Sequence, residues 1–253
     1  ECPGHFGHID LARPVYHIGF IKKVKKILEC VCTHCGKLKL DETDPVFASV
    51  LRSTQGKSAH ARARRFQGVW QLCSKKLVCE ADPVKDEDDM AGPDLEPPVG
   101  HGGCGHSQPV IRREGLKMYV QWKKGKDEDE DGEAGKAGQP EKKVLPASEA
   151  LQILKKMSDE DIEIMGLSID EARPEWMIIS VLPVAPPPVR PGVAEGGSAK
   201  GEDDLTYKLS DIIKASIQLK KFEQEGAPAH IVGEFEDLLQ FHCATYMDND
   251  IAG

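Results

Sequence analysis

The sequence predicts an α+β fold of mixed helices and short strands that ends in an antiparallel two-helix hairpin, and three observations predict it. Short apolar runs at residues 109–111, 116–122 and 177–182 have strand character and lie among stretches of helical periodicity. Two stretches near the C-terminal end carry apolar residues at helical spacing and are separated only by Gly226-Ala227-Pro228, so the helices should fold back on one another. The turn Cys32-Thr33-His34-Cys35-Gly36 brings two thiols to one side of the chain, which points to a metal as part of the core.

Composition agrees with folded parts separated by solvated insertions. Of 253 residues only 40% are hydrophobic and 30% are charged, with 17 prolines and 24 glycines. No apolar run approaches the roughly 18 residues of a membrane span, and the opening Glu1-Cys2-Pro3-Gly4-His5 does not resemble a signal peptide. The net charge of −9 conceals an asymmetry. Residues 1–80 hold 14 Lys/Arg against 7 Asp/Glu, residues 81–143 hold 10 against 15, and residues 144–253 hold 9 against 20. A basic front suits nucleic acid, while an acidic rear suits a basic protein.

Taken in order, residues 15–21 read as a strand or a helix start. Lys22 to Cys30 reads as a helix with Val24, Ile27 and Leu28 on one face, and 45–77 as further helix with a basic middle. Residues 1–122 form one segment, with an acidic loop at 81–100. Residues 123–143, including Asp127-Glu128-Asp129-Glu130-Asp131, are a charged insertion with too little apolar surface to order itself. A segment at 144–184 contains a helix capped at Ser148, a second with a capping box at Ser158, and the apolar strand 177–182. Pro186-Pro187-Pro188 and the glycines after it then predict a long exposed loop over 185–203. The hairpin occupies 204–247, with Leu205, Leu209, Ile212, Ile213, Ser216, Ile217 and Leu219 inward on one helix. Its partner helix turns Ile231, Phe235, Leu238, Leu239 and His242 inward, and 248–253 closes the chain.

Eight cysteines without a secretory leader favour a metal site or buried thiols over disulfides. Cys32 and Cys35 make a zinc knuckle, and a closed structural site needs two more ligands. Cys79 and Cys104 are candidates, the second set in Gly102-Gly103-Cys104-Gly105. His101 and His106 are rivals, and Cys79 alternatively reads as a buried thiol. Cys30, Cys73 and Cys243 adjoin apolar helical positions and read as core. Cys2 and His5 have the spacing of half a second site, but the chain does not offer its partners, and from the residues alone they read as two free side chains.

The opening Cys2-Pro3-Gly4-His5-Phe6-Gly7-His8-Ile9-Asp10-Leu11 with Pro14-Val15-Tyr16-His17 closely resembles the start of the clamp in the largest subunit of multisubunit RNA polymerases. Arg173-Pro174-Glu175-Trp176-Met177, the stretch from Leu182 to Pro191, Asp203-Asp204-Leu205-Thr206-Tyr207-Lys208-Leu209 and the ending from Thr245 to Gly253 resemble the same family, in the same order. Gly102-Gly103-Cys104-Gly105 before Gln108-Pro109 is similar to the eukaryotic polymerase II version, in a fungal-like form.

The resemblance implies a zinc-stabilised clamp region, part of a longer subunit, with Cys32, Cys35, Cys79 and Cys104 as zinc ligands. Cys2 and His5 would be half of a second zinc site whose other two ligands lie upstream. Residues from Pro186 to about Asp203 would be the lid, which helps part RNA from template DNA, and Arg190 in it a nucleic-acid contact. The hairpin would be the clamp coiled coil, which docks initiation and elongation factors, and the last residues the approach to the rudder. The partners implied are the other polymerase subunits, DNA and the RNA–DNA hybrid, in the nucleus. The family's aspartate-rich magnesium motif is not found, and Asp248-Asn249-Asp250 lacks its glycine and third carboxylate. Magnesium and nucleotide polymerisation are therefore expected only of the whole enzyme.

For nucleic acid the candidate residues are Arg62, Arg64, Arg65, Arg112, Arg113 and Lys117, joined by Lys123 and Lys124, with no sequence preference expected. Glu223, Glu225 and His230 at the hairpin tip are candidates for a protein partner. A standalone zinc-stabilised adaptor is the alternative, disfavoured because the chain begins inside a half-site. A zinc hydrolase is disfavoured because no His-Glu-x-x-His or His-x-Glu pattern occurs.

Overall fold

The computed structural model describes residues 2–82, 101–122, 142–195 and 199–252. In chain order these form β1 (Gly7–Tyr16), α1 (Ile21–Cys30), α2 (Pro45–Ser53), α3 (Ala59–Cys73), β2 (Val110–Glu114), β3 (Lys117–Gln121) and β4 (Lys142–Leu145). Then follow α4 (Ala147–Lys155), α5 (Asp159–Ile164), β5 (Ile178–Val184), β6 (Val193–Glu195), β7 (Ala199–Gly201), α6 (Asp204–Gln224) and α7 (Ala229–Met247). Helices and strands are mixed, as the α+β class requires. The chain divides into two compact units, one made of Glu1–Ile21 with Met177–Gly253 and the other of Lys22–Trp176.

In the first unit β1 pairs antiparallel with β5, Ile9 opposite Leu182 and Tyr16 opposite Ile178, with a shift of register between Asp10 and Val15. The irregular stretch turns its polar groups toward the helices. Ala12 N donates to Ser216 Oγ at 2.9 Å, and the Arg13 guanidinium bridges Glu223 of α6 and Glu236 of α7. The Gln240 amide accepts from Tyr16 N at 2.6 Å and donates to Tyr16 O at 2.9 Å. Val15, Ile179 and Leu182 from the ribbon meet Leu209, Ile212, Leu219, Val232, Leu239 and Cys243 from the helices in one core. Asp203 starts α6 by accepting from Leu205 N, and Gly226, at φ +67°, provides the left-handed residue that ends it. The two helices run in opposite directions: Phe222 meets Phe235 beside the turn, and Lys208 Nζ lies 3.2 Å from His242 Nδ1 at the far end.

The inward stripe differs from the one expected. Ile213, Ile217 and Leu238 are 42%, 63% and 38% exposed, while Val232 and Gln240 are buried. The β1–β5 ribbon and α7 both pack on the side of α6 that carries Leu209, Ile212, Ser216 and Leu219. The isoleucines one position further round are left uncovered. The stretch 185–203, expected to be a loop without regular structure, contains a 3-10 turn at Pro187–Val189 and the β6–β7 hairpin, with Val193 opposite Gly201. Arg190 closes its base, donating from Nε to Ala185 O at 2.9 Å and from Nη1 to Thr206 Oγ1 at 3.0 Å.

In the second unit α1 and α3 lie alongside each other. Lys23 Nζ is over the Phe66 ring at 4.0 Å, Lys26 Nζ is over Trp70 at 4.2 Å, and Trp70 Nε1 donates to Glu29. The helix expected over 45–77 is two helices. Asp44 caps α2, Thr54 Oγ1 donates back to Val50 O, and Ser58 caps α3 afresh. The helix expected to be capped at Ser148 begins at Ala147 behind Pro146, which supplies no side-chain cap, whereas Ser158 caps α5 through Asp161 N. Strands β2, β3 and β4 form an antiparallel sheet in that order, with Ile111, Met118, Val120 and Leu145 buried on one side. Of the insertion expected over 123–143 only Lys142 and Lys143 are described, and they belong to β4. Of the loop at 81–100 only Ala81 and Asp82 are described.

Lys39 is 4% exposed, an unusual place for an ammonium group. Its Nζ donates to Glu29 O at 2.9 Å, so the charge lies against the carbonyl end of α1, and burial holds its pKa below the ordinary lysine value.

Candidate metal centre

Two tight turns build the site. In the first, Gly36 N donates to Cys32 O at 2.9 Å and Cys32 N to Lys37 O at 2.8 Å, folding Cys32 and Cys35 onto one side. Gly36 has φ +79°, and a Cβ there would lie 2.4 Å from Lys156 Cβ, so only glycine fits. The second turn is made by two distant stretches. Cys79 N donates to His106 O at 3.0 Å, Gly105 N to Cys79 O at 2.7 Å, and Gln108 N to Leu77 O at 2.7 Å. A Cβ on Gly103 would fall 2.0 Å from Glu80 O, so this approach also depends on glycine.

The turns bring Cys32, Cys35, Cys79 and Cys104 together with all four sulfurs within 4.8 Å of one another. Cys32 Sγ is 3.5 Å from Cys104 Sγ, and Cys35 Sγ is 3.8 Å from Cys79 Sγ. The sulfurs of a zinc tetrahedron with bonds of about 2.3 Å lie roughly 3.8 Å apart, so the donor set fits that ion. The surroundings favour charged sulfur. Cys32 Sγ faces His34 N at 3.3 Å, Cys35 N at 3.5 Å and Gln108 Nε2 at 3.0 Å, while Cys79 Sγ faces Cys104 N at 3.4 Å. A neutral thiol is a weak acceptor, whereas a thiolate accepts several such N–H groups. Burial raises the Cys32 thiol, but the N–H groups of Cys35 and His34 together with Cys104 outweigh it and bring the pKa down to about 7. Burial pushes Cys79 up to about 12 and also raises Cys35, which a bound cation would reverse.

His101 and His106, the rival ligands, flank the cluster. His101 Nε2 is 3.7 Å from Cys79 Sγ, and His106 Nδ1 is 3.3 Å from Cys104 Sγ with its ring stacked on His34. Four sulfurs already complete a tetrahedron, which leaves no position for a reacting water. Gln108 was missed by sequence reasoning. It is 4% exposed, accepts from Thr33 N at 2.9 Å, and donates to both Cys32 Sγ and His106 O, tying the two turns together. Its only signal in the sequence is a polar residue placed directly between the second turn and an apolar strand.

The other candidates are dispersed. Cys2 and His5 are exposed in the first unit, and among the described residues no group of three metal-binding side chains includes them. Gly4 between them lies against Pro186. Arg64 and Arg112 are exposed, Arg62, Arg113 and Lys117 are half-buried, and Arg65 donates from Nη2 to Thr54 O at 2.9 Å. Arg190 is engaged at the base of its hairpin and Glu223 by Arg13, whereas Glu225 and His230 are exposed. Cys30, Cys73 and Cys243 are all buried.

Fold and site define a class: a mixed α and β protein whose second unit carries a four-thiol cluster able to hold a metal ion such as zinc. The model of the family described as RNA polymerase Rpb1, domain 1, matches residues 1–253, so the chain belongs to that family of largest subunits of DNA-directed RNA polymerase, which act in transcription. Membership implies other polymerase subunits and nucleic acid as partners. Among the described residues no helix is long and apolar enough to cross a membrane.

Proposed function

We propose that the chain is the clamp portion of the largest subunit of nuclear RNA polymerase II, in a fungal-like form. There it closes over DNA and the RNA–DNA hybrid while other parts of the enzyme carry the chemistry and its magnesium. The observation that carries this reading is the match of the whole chain to the family's first domain. One zinc ion is held by Cys32, Cys35, Cys79 and Cys104, an assignment supported by their mutual distances. It ties together the two turns of the second unit that carry these cysteines. Cys2 and His5 supply half of a second zinc site and complete none alone.

Residues 144–184 are the helix-strand part of the clamp. Residues 185–203 are the lid, which separates RNA from template DNA, and 204–247 are the coiled coil on which initiation and elongation factors dock through Glu223, Glu225 and His230. Residues 248–253 lead toward the rudder. Arg62, Arg64, Arg65, Arg112, Arg113 and Lys117 face nucleic acid, and Arg190 shapes the lid base. The test is charge reversal at the exposed Glu225, combined with His230→Ala, in the whole polymerase, read as retention of a general initiation factor. The reading expects loss of the factor with subunit assembly unchanged. Undiminished retention would overturn the docking role.

A further inference from the structure

The sheet β2–β3–β4 has one buried side, and its other side is a basic surface around one aromatic ring. In register, Arg112 stands directly opposite Tyr119, and Val144 flanks Tyr119 from the other strand. On this face the register places three basic residues, Arg112, Lys117 and Lys142, against a single carboxylate, Glu114, while Arg113 and Lys143 stand opposite the buried Met118 and Val120 on the other side. That concentration occurs in a chain whose net charge is −9, so it is not a consequence of composition.

Lys142 is placed in a telling way. Its Nζ is 4.0 Å from the centre of the Tyr119 ring and 2.6 Å from Glu114 Oε1, so the ammonium covers the ring while a carboxylate two strands away holds it there. Both partners are open to water, with side chains 40% and 57% exposed. An exposed ion pair of this kind is worth little and yields readily to a competing ligand.

We propose that this sheet face is a platform for single-stranded nucleic acid. A base stacks on Tyr119 in place of the Lys142 ammonium, and Lys142 and Arg112 move to the phosphates on either side. Stacking on an aromatic ring set in a basic sheet requires an unpaired base, which a duplex does not offer. An acidic peptide would satisfy the charges but leave the ring unused. The proposal rests on the reading of Arg112 and Lys117 as nucleic-acid contacts and specifies what kind of strand they serve.

The test is fluorescence anisotropy of the full zinc-loaded chain with labelled oligothymidylate and oligouridylate of about 15 nucleotides, against a duplex of the same length. Expected results are a preference for both single strands over the duplex, and a loss of about tenfold in single-strand affinity in Tyr119→Ala with duplex affinity unchanged. Tyr119→Phe keeps the ring and the affinity, and Glu114→Gln, which releases Lys142 at an exposed position, raises it. Comparable losses for duplex and single strand in Arg112→Glu, with Tyr119→Ala silent, would leave a basic face but overturn the platform. No effect of any of these changes would overturn the basic face as well. Competition by polyglutamate as effective as by oligothymidylate would assign the surface to an acidic protein instead and overturn the proposal.

Discussion

Removing the Gln108 carboxamide probes the metal centre without touching a ligand. In Gln108→Leu the volume is nearly kept, but the Nε2 donation to Cys32 Sγ at 3.0 Å and the acceptor for Thr33 N at 2.9 Å both disappear. A hydrogen bond to a charged group contributes about 1.5–3 kcal/mol, and a buried N–H left without its partner costs about 1–3 kcal/mol. The second cost falls on the folded turn whether or not metal is present, so the metal affinity should register mainly the first. That corresponds to roughly 10–100-fold weaker zinc binding, the range found when groups that orient metal ligands are removed. The assay is competition with a chromogenic chelator at fixed pH, with circular dichroism to establish that the loaded variant is folded. Zinc affinity within about twofold of the parent would refute the reasoning that Gln108 stabilises charged sulfur.

Three further outcomes are expected. Gly103→Ala should weaken both metal retention and the stability of the second unit, since its Cβ would fall 2.0 Å from the Glu80 carbonyl. Gly103 has no positive φ, so its clash acts alone, whereas Gly115→Ala, at φ +58° with nothing within 4 Å of its Cβ, reports the strain of a positive φ alone. Leu219→Ala, fully buried, should lower stability by about 2–5 kcal/mol in denaturant unfolding. Ile217→Ala on the uncovered side should change it by only about 0.5 kcal/mol. His242 is held below the ordinary 6.5 by burial and then by Lys208, with Asp211 opposing. The folded state therefore binds fewer protons than the unfolded one. Its contribution is complete above 6.5 and is lost as pH falls below it, so thermal melts of the parent should drop faster on acidification than those of His242→Phe.

What the sequence revealed was mostly local. The knuckle Cys32-x-x-Cys35-Gly36 is a property of five adjacent residues and could be read directly, as could the helix cap at Ser158. The meeting of Cys79 with Cys104 depends on backbone bridges such as Val78 to Ser107 and Ala81 to Gly103, which no spacing rule encodes. The choice of Cys104 over His101 and His106 came from the family resemblance alone. Helical periodicity located α6 and α7 but misjudged the rotation of their inner face. An amphipathic pattern shows which residues are apolar, not how far round the helix its neighbours reach, and here the covering β1–β5 ribbon joins two stretches far apart in the sequence. Arg190 was a candidate for nucleic acid through the family resemblance, which places it in the lid, and nothing local in the sequence shows its partners. The carbonyl of Ala185 and the hydroxyl of Thr206 that engage it become neighbours only when the loop closes. The same holds for Lys142, placed in a charged insertion by composition and in a strand by its pairing with Gln121.

Metal analysis of the purified chain tests most directly whether the four thiols hold one ion. Inductively coupled plasma measurement should find one zinc per chain, retained in Cys2→Ser and lost in Cys79→Ser. Two ions per chain, or full retention of zinc in Cys79→Ser, would contradict the assignment.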